Sequence, residues 1–189
     1  DDIVITMGNS VLSYINIDSL TWEPVDTLHT VTNGSIENVG IGVEDFRNDL
    51  IKEIVYLNNR KLHKLVFNGS DYDDDVIDTV LNYSDLSLNF FDMNSDGFVD
   101  IIGAGGSVIN SDNKNHISIL ESMPNHEFNR NIIYDADADA PKYVYSVDMD
   151  ADGDKDLVVT LVDKQIYYEN LGNNNFSNTQ NLLFKGNYN

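Results

Sequence analysis

The chain has 189 residues, with 32 acidic side chains against 11 basic ones, a formal charge of −21 and no cysteine. Such a surface repels a polyanion and no Lys/Arg cluster offsets it, which excludes nucleic acid as a partner; disulfides and thiolate metal or redox sites are excluded outright. The composition is 41% apolar, enough for a packed core. No apolar run approaches the roughly 20 residues that cross a bilayer, so no membrane insertion is expected within this segment.

The acid is unevenly chosen: 25 Asp against 7 Glu, beside 25 Asn and 12 Gly. Asp, Asn and Gly favour turns and oxygen-rich loops, while 8 Phe and 10 Tyr among many Val and Ile favour strand, so helix is nearly absent from the reading. At the N-terminus, Asp1-Asp2-Ile3-Val4-Ile5 reads as an acid followed by a strand. Residues 45–53 (Asp-Phe-Arg-Asn-Asp-Leu-Ile-Lys-Glu) form an acidic loop, followed by a strand at 54–57, a turn at Asn58-Asn59 and a strand at 61–67. Strand-like residues 86–90 lead into Asp92-Met93-Asn94-Ser95-Asp96-Gly97-Phe98-Val99-Asp100 and a further apolar strand. Residues 143–146 lead likewise into Asp148-Met149-Asp150-Ala151-Asp152-Gly153-Asp154-Lys155-Asp156. After this loop come strands at 157–161 and 165–170, a turn at Gly172-Asn173-Asn174, and a weaker strand around 182–184.

These segments repeat. The last acid of each copy falls at residues 2, 53, 100 and 156, spacings of 51, 47 and 56 residues. A period of about 50 with several short strands is the size of one propeller blade. The expectation is an all-β chain forming one domain over residues 1–189, with approximate repeats 1–44, 45–91, 92–147 and 148–189. Each repeat is expected to be a four-stranded blade. The chain begins after one acidic loop and stops before the strand leading to another, so nearly four blades of a larger propeller are expected, in preference to a closed four-bladed ring.

Loops 92–100 and 148–156 fit D-x-[DN]-x-D-G-x-x-D. Oxygens at positions 1, 3 and 5 converge when the chain curls, glycine at 6 permits the sharp turn, position 7 offers a carbonyl, and the acid at 9 closes the shell. Hard oxygen ligands in such number are what calcium prefers. An EF-hand needs an acid at position 12 between helices, whereas here those positions are Gly103 and Val159 between strands.

With its closing acid at nine, the pattern resembles the FG-GAP/VCBS repeats of integrin alpha-chain propellers and many secreted proteins. Residues 167–176 also look like the strand and turn that follow the loop in VCBS units. The resemblance implies calcium ligated by Asp92, Asn94, Asp96, the Phe98 carbonyl and Asp100, and again by Asp148, Asp150, Asp152, the Asp154 carbonyl and Asp156. It implies an extracellular or cell-surface setting. Two bound divalent ions would reduce the net charge from −21 to about −17. In the degenerate loop 45–53, Arg47 and Leu50 occupy a ligand position and the glycine position. Either the Arg47 guanidinium bonds Asp45 and Asp49 in place of an ion, or Arg47 is solvated in a decayed loop.

The runs Asp71-Tyr72-Asp73-Asp74-Asp75 and 135–139 read as solvated inter-strand loops. His29, His63, His116 and His126 form no H-x-x-x-H pair, so no zinc site is expected. Trp22, Tyr14 and Tyr83 are candidates for a sugar-stacking surface, against the alternative of packing between blades. Sequons at Asn33, Asn68, Asn82 and Asn175 number four against 25 × 22/189, about three, expected by chance. No nucleophile elbow, phosphate loop or catalytic cysteine is present. The expected function is therefore non-enzymatic: a calcium-stabilised adhesion, recognition or scaffold module for a protein or glycan ligand. The alternative is a carbohydrate-active propeller, either a lectin or a polysaccharide lyase-like enzyme.

Overall fold

The structure, a computed structural model, describes residues 3–18, 21–32, 36–59, 61–78, 84–106, 115–136, 141–177 and 181–185. These residues contain fifteen strands and no helix, and every strand pairing is antiparallel. The first sheet contains β1 (Ile3–Met7), β2 (Ser10–Asp18) and β3 (Thr21–Thr30). The second contains β4 (Ile36–Glu44), β5 (Glu53–Asn58), β6 (Lys61–Phe67) and β7 (Tyr72–Asp78). The third contains β8 (Ser84–Phe91), β9 (Asp100–Gly106), β10 (Asn115–Ser122) and β11 (Phe128–Ala136). The fourth contains β12 (Tyr143–Val147), β13 (Asp156–Thr160), β14 (Lys164–Tyr168) and β15 (Asn181–Lys185). Each sheet is a meander in chain order. The acidic loops lie within sheets, joining β4 to β5, β8 to β9 and β12 to β13, so the sheets are offset by one strand from the frame of the sequence repeat.

Strand alternation explains how the sheets stack. In β5, Ile54 and Tyr56 pack toward the first sheet with Val11, Val31, Ile36 and Leu65, while Val55 and Leu57 pack toward the third with Phe46, Leu62, Ile101 and Leu120. In β9, Ile101 belongs to that second seam, and its neighbours Ile102 and Ala104 join Ile117, Ile119, Val144, Leu157 and Val159 in the third. The inner sheets are thus buried on both faces, which is why β5 is buried along its whole length and reads as a continuous apolar run. Three seams, each filled from both sides, replace a single central core. Each sheet relies on its neighbours for burial, as in other stacked-repeat folds.

Successive sheets also meet through their inner strands: β1 packs on β4, β4 on β8, and β8 on β12. At the second seam the approach is close, since a Cβ on Gly42 of β4 would fall 2.4 Å from the Phe90 ring of β8. No comparable packing joins β12 back to β1 among the described residues, so the four sheets do not close on themselves.

Candidate functional site

The three acidic loops share one backbone. Position 4 is left-handed in each, with φ of 52° at Asn48, 61° at Ser95 and 66° at Ala151, and so is position 6, with φ of 71° at Leu50, 91° at Gly97 and 103° at Gly153. The glycine removes a steric penalty at position 6, which Leu50 retains. The turn survives in the degenerate loop because the position-9 acid holds it. Phe46 N–H donates to Glu53 Oε2 (2.9 Å), Met93 N–H to Asp100 Oδ2 (3.0 Å), and Met149 N–H to Asp156 Oδ2 (2.8 Å). The second oxygen of Asp100 accepts Ser122 N–H (2.9 Å), and that of Asp156 accepts Asn170 N–H (2.8 Å). All three acids are fully buried. Position 9, expected from the sequence as the last ligand, also pins loops 92–100 and 148–156 to the end of the third strand of their own sheets.

Loop 148–156 offers the better cation cradle. Asp148, Asp150 and Asp156 each bring an oxygen within 4.8 Å of the others. Burial, a hydrogen bond with Asp152, and the charges of Asp152, Asp156 and Asp150 push the Asp154 carboxyl up to about 6, and its buried Oδ1 has no hydrogen-bond partner. Asp150 is raised as well, by desolvation first and then by the charges of Asp152 and Asp156, although the Asp152 N–H opposes the shift. Crowded carboxylates with raised proton affinity are the electrostatic condition that a divalent cation relieves, so these residues fit calcium. Asp152 lies in the same loop, and its Oδ1 accepts Asp154 N–H at 3.1 Å.

Loop 92–100 is closed by its own hydrogen bonds. Asp92 accepts Asp96 N–H (3.1 Å) and Gly97 N–H (2.9 Å), and Asp96 Oδ1 accepts Phe98 N–H (2.9 Å). Asn94 Oδ1 accepts Asp96 N–H (3.1 Å), while its Nδ2 donates to Asp96 Oδ2 (3.0 Å) and to Glu121 Oε1 (2.8 Å). The loop places Asp92, Asn94, Asp96, Phe98 and Asp100 together in sequence order, but its three aspartates do not converge as tightly as those of loop 148–156. Glu121 of β10 is an additional acid that the loop sequence did not disclose; it follows Leu120, which pairs with Ile101 of β9. Burial, with smaller contributions from Asp96 and Asp92, pushes the Asp100 carboxyl up to about 7 despite the N–H bonds from Ser122 and Met93.

In loop 45–53, Arg47 Nη2 contacts Asp49 Oδ2 at 3.0 Å and Arg47 Nε contacts Glu53 Oε1 at 2.7 Å. Of the two alternatives for this loop, the structure shows the bonded guanidinium with one partner changed: Arg47 bridges positions 5 and 9 and leaves Asp45 to other donors. Burial pushes the Asp45 carboxyl up, but N–H groups, chiefly of Asp49 and Leu50, outweigh it and hold the group below its ordinary value.

A second cluster lies in the cleft between the first two sheets. His63 Nδ1 lies 2.9 Å from Asp74 Oδ1, and His29 Nε2 of β3 lies 3.5 Å from Asp74 Oδ2. Tyr56 stacks on His63 with ring centroids 5.1 Å apart. Burial, followed by the charge of Asp74, pushes the Tyr56 phenol far up, so it stays neutral. The cleft has a volume of about 290 Å³ and is also lined by Asn58, Asn59, Lys61 and Thr30. Asn58 is nearly buried, and its Oδ1 has no hydrogen-bond partner.

This cluster was not legible from histidine spacing, because the pairing of β6 with β7 and the packing of β3 on the second sheet bring its members together. The acidic run containing Asp74 is largely strand β7 rather than the expected loop. Of the candidates for a sugar-stacking surface or for packing between blades, Tyr83 lies outside the described residues, as do the side chains of Tyr14 and Trp22. In the second acidic run, 137–139 also lie outside them.

No family model matches the sequence, and no curated protein matches it. Among solved structures the chain is similar to an Agrocybe aegerita lectin described as specifically recognising non-reducing terminal N-acetylglucosamine. The TM-score is 0.64 at 17% identity, over 93% of this chain and 48% of that one. The chain therefore spans about half the length of that lectin, and at this identity the likeness is one of fold.

Proposed function

We propose that the chain is a non-catalytic, glycan-recognising segment of an extracellular β-propeller, with its sheets as blades and calcium held in loops 148–156 and 92–100. The cleft between the first two sheets carries the recognition reading. Asp74 and Asn58 supply acceptors, Lys61 and the histidines supply donors, and Tyr56 and His63 form one rigid aromatic unit behind them. Such a mixture of donors and acceptors around an aromatic body suits the alternating hydroxyl and C–H faces of a sugar. The similarity in fold to a lectin supports the same reading.

In loop 148–156, Asp148, Asp150, Asp152 and Asp156 would hold the ion through side-chain oxygens and Asp154 through its carbonyl. Asp92, Asn94, Asp96, Asp100 and the Phe98 carbonyl would form the second site. When bound, calcium supplies the positive charge that lets these carboxylates remain ionised side by side. The protein's own contribution is the left-handed turn and the buried position-9 acid.

Glycan-array binding, followed by titration of the sugars that score, tests the recognition reading. Asp74→Ala is expected to abolish the signal while leaving the melting temperature in calcium within a few degrees of the parent. An array without hits, or binding unaffected by Asp74→Ala, would remove the cleft from the proposal. Calorimetric calcium titration tests the loops separately: about two ions per chain are expected, and one fewer in Asp152→Ala or in Asp96→Ala.

A further inference from the structure

The two complete acidic loops differ in charge. Loop 92–100 carries three aspartates and loop 148–156 five, because Asn94 and Phe98 stand where Asp150 and Asp154 do. Position 3 is where the difference bears on a cation. Its oxygen has the same place in both loops: Asn94 Oδ1 accepts Asp96 N–H at 3.1 Å, and Asp150 Oδ1 accepts Asp152 N–H at 3.2 Å. Asp92 Oδ1 also accepts Asp96 N–H at 3.1 Å, so the oxygens of positions 1 and 3 in loop 92–100 converge on one point. Either oxygen of Asp150 can fill that place. Only one end of the Asn94 amide can, because the other is an NH2 group, a donor that a cation repels.

Glu121 fixes which end that is. Asn94 Nδ2 donates to Glu121 Oε1 at 2.8 Å and to Asp96 Oδ2 at 3.0 Å, so both of its N–H groups go to carboxylates. Turning the amide over would set Oδ1 against those carboxylates and Nδ2 against the Asp96 N–H. Of the two acceptors, Glu121 is the one from outside the loop. The same place recurs in the other sheets. The residue after each acidic loop pairs with the third strand, Ile54 with Leu65, Ile101 with Leu120 and Leu157 with Tyr168. The next residue on that strand is Val66, Glu121 and Glu169 respectively. A glutamate accompanies each loop with the full motif, and a valine accompanies the loop in which the Arg47 guanidinium is already paired with Asp49 and Glu53.

We propose that Glu121 is a positioning residue of the calcium site in loop 92–100: it holds the Asn94 amide with its oxygen toward the ion and adds the carboxylate charge that position 3 lacks. The inference rests on the calcium reading of that loop and extends its ligand set to a residue of another strand, outside the D-x-[DN]-x-D-G-x-x-D spacing. Glu121 acts through Asn94 and need not touch the ion. Groups that orient a metal ligand in this way change metal affinity by about 10–100-fold when removed. Loop 148–156 has no such need at position 3, since both ends of the Asp150 side chain are oxygen.

Calorimetric calcium titration of the full chain carrying Asp152→Ala, which leaves loop 92–100 as the calcium site, reads the outcome. Adding Glu121→Ala should weaken that site by about 10–100-fold. Glu121→Gln keeps the volume and an acceptor for Asn94 but loses the charge, and its affinity should fall between the two. Rescue separates positioning from mere structure: with Asn94→Asp added to Glu121→Ala, position 3 needs no orienting, and affinity should return to within about threefold of the starting chain. In a chain carrying Asp96→Ala instead, Glu121→Ala should leave calcium binding by loop 148–156 unchanged, which also shows the variant to be folded. If the Asp152→Ala chain binds no calcium at millimolar concentration, the calcium reading of loop 92–100 falls and this proposal with it. If it binds calcium but Glu121→Ala leaves the affinity unchanged, or the loss persists with Asn94→Asp, the proposal alone is overturned.

Discussion

Asp100 gives the sharpest test of how the loops are built. Its carboxyl is fully buried, accepts two backbone N–H groups and is pushed up from 3.8 to about 7, chiefly by burial. A carboxyl whose proton affinity rises on folding stabilises the fold fully below its unfolded pKa, and that contribution is lost as pH rises through the folded value. Between pH 4.5 and 7.5, values of 3.8 and about 7 correspond to a loss of about 3 kcal/mol in metal-free protein. The general repulsion of a −21 chain acts in the same direction, so the parent must be compared with Asp100→Asn, which keeps the volume and cannot ionise. Urea unfolding in chelator at a series of pH values measures both. The stability of the parent minus that of the variant should fall by about 3 kcal/mol across this window. Calcium should flatten the decline, since the ion favours the ionised form. A difference that is flat or rises with pH would refute the assignment of Asp100 as a buried, proton-holding brace.

The degenerate loop should behave as a metal-free equivalent. Arg47→Ala removes the guanidinium from the buried Glu53 carboxylate, which keeps its Phe46 N–H bond, and should cost about 3 kcal/mol in urea unfolding, equally in calcium and in chelator. Leu50 is 93% exposed at φ 71°, so Leu50→Gly should stabilise by about 0.5–1 kcal/mol, read as a higher urea midpoint at unchanged slope. At the second seam, Gly42→Ala forces a methyl against Phe90 and should cost about 1–3 kcal/mol, visible as a lower melting temperature. Asn170→Ala removes donors to the Met93 and Lys155 carbonyls, 3.0 and 3.1 Å away, and should cost about 1–3 kcal/mol. In that variant, hydrogen exchange should quicken at the third seam before the first.

The strands and the acidic loops were legible from the residues alone. Alternating apolar runs such as Ile54-Val55-Tyr56-Leu57 can bury two faces only as strand, and the strands read at 61–67 and 157–161 correspond to β6 and β13 to within a residue. The D-x-[DN]-x-D-G-x-x-D spacing favours the turn locally, because glycine at position 6 relieves the left-handed backbone of its steric cost. Whatever depends on two sheets at once was not legible there. Histidines 34 residues apart share Asp74 because β3 packs against the sheet that carries β6 and β7. Arg47 chooses Glu53 over Asp45 because Glu53 is the buried carboxylate at hand, whereas Asp45 is satisfied by its own loop's N–H groups. Met93 and Met149 occupy the same place in the same motif, yet one is core and the other surface, because burial belongs to the seam and a seam needs a neighbour.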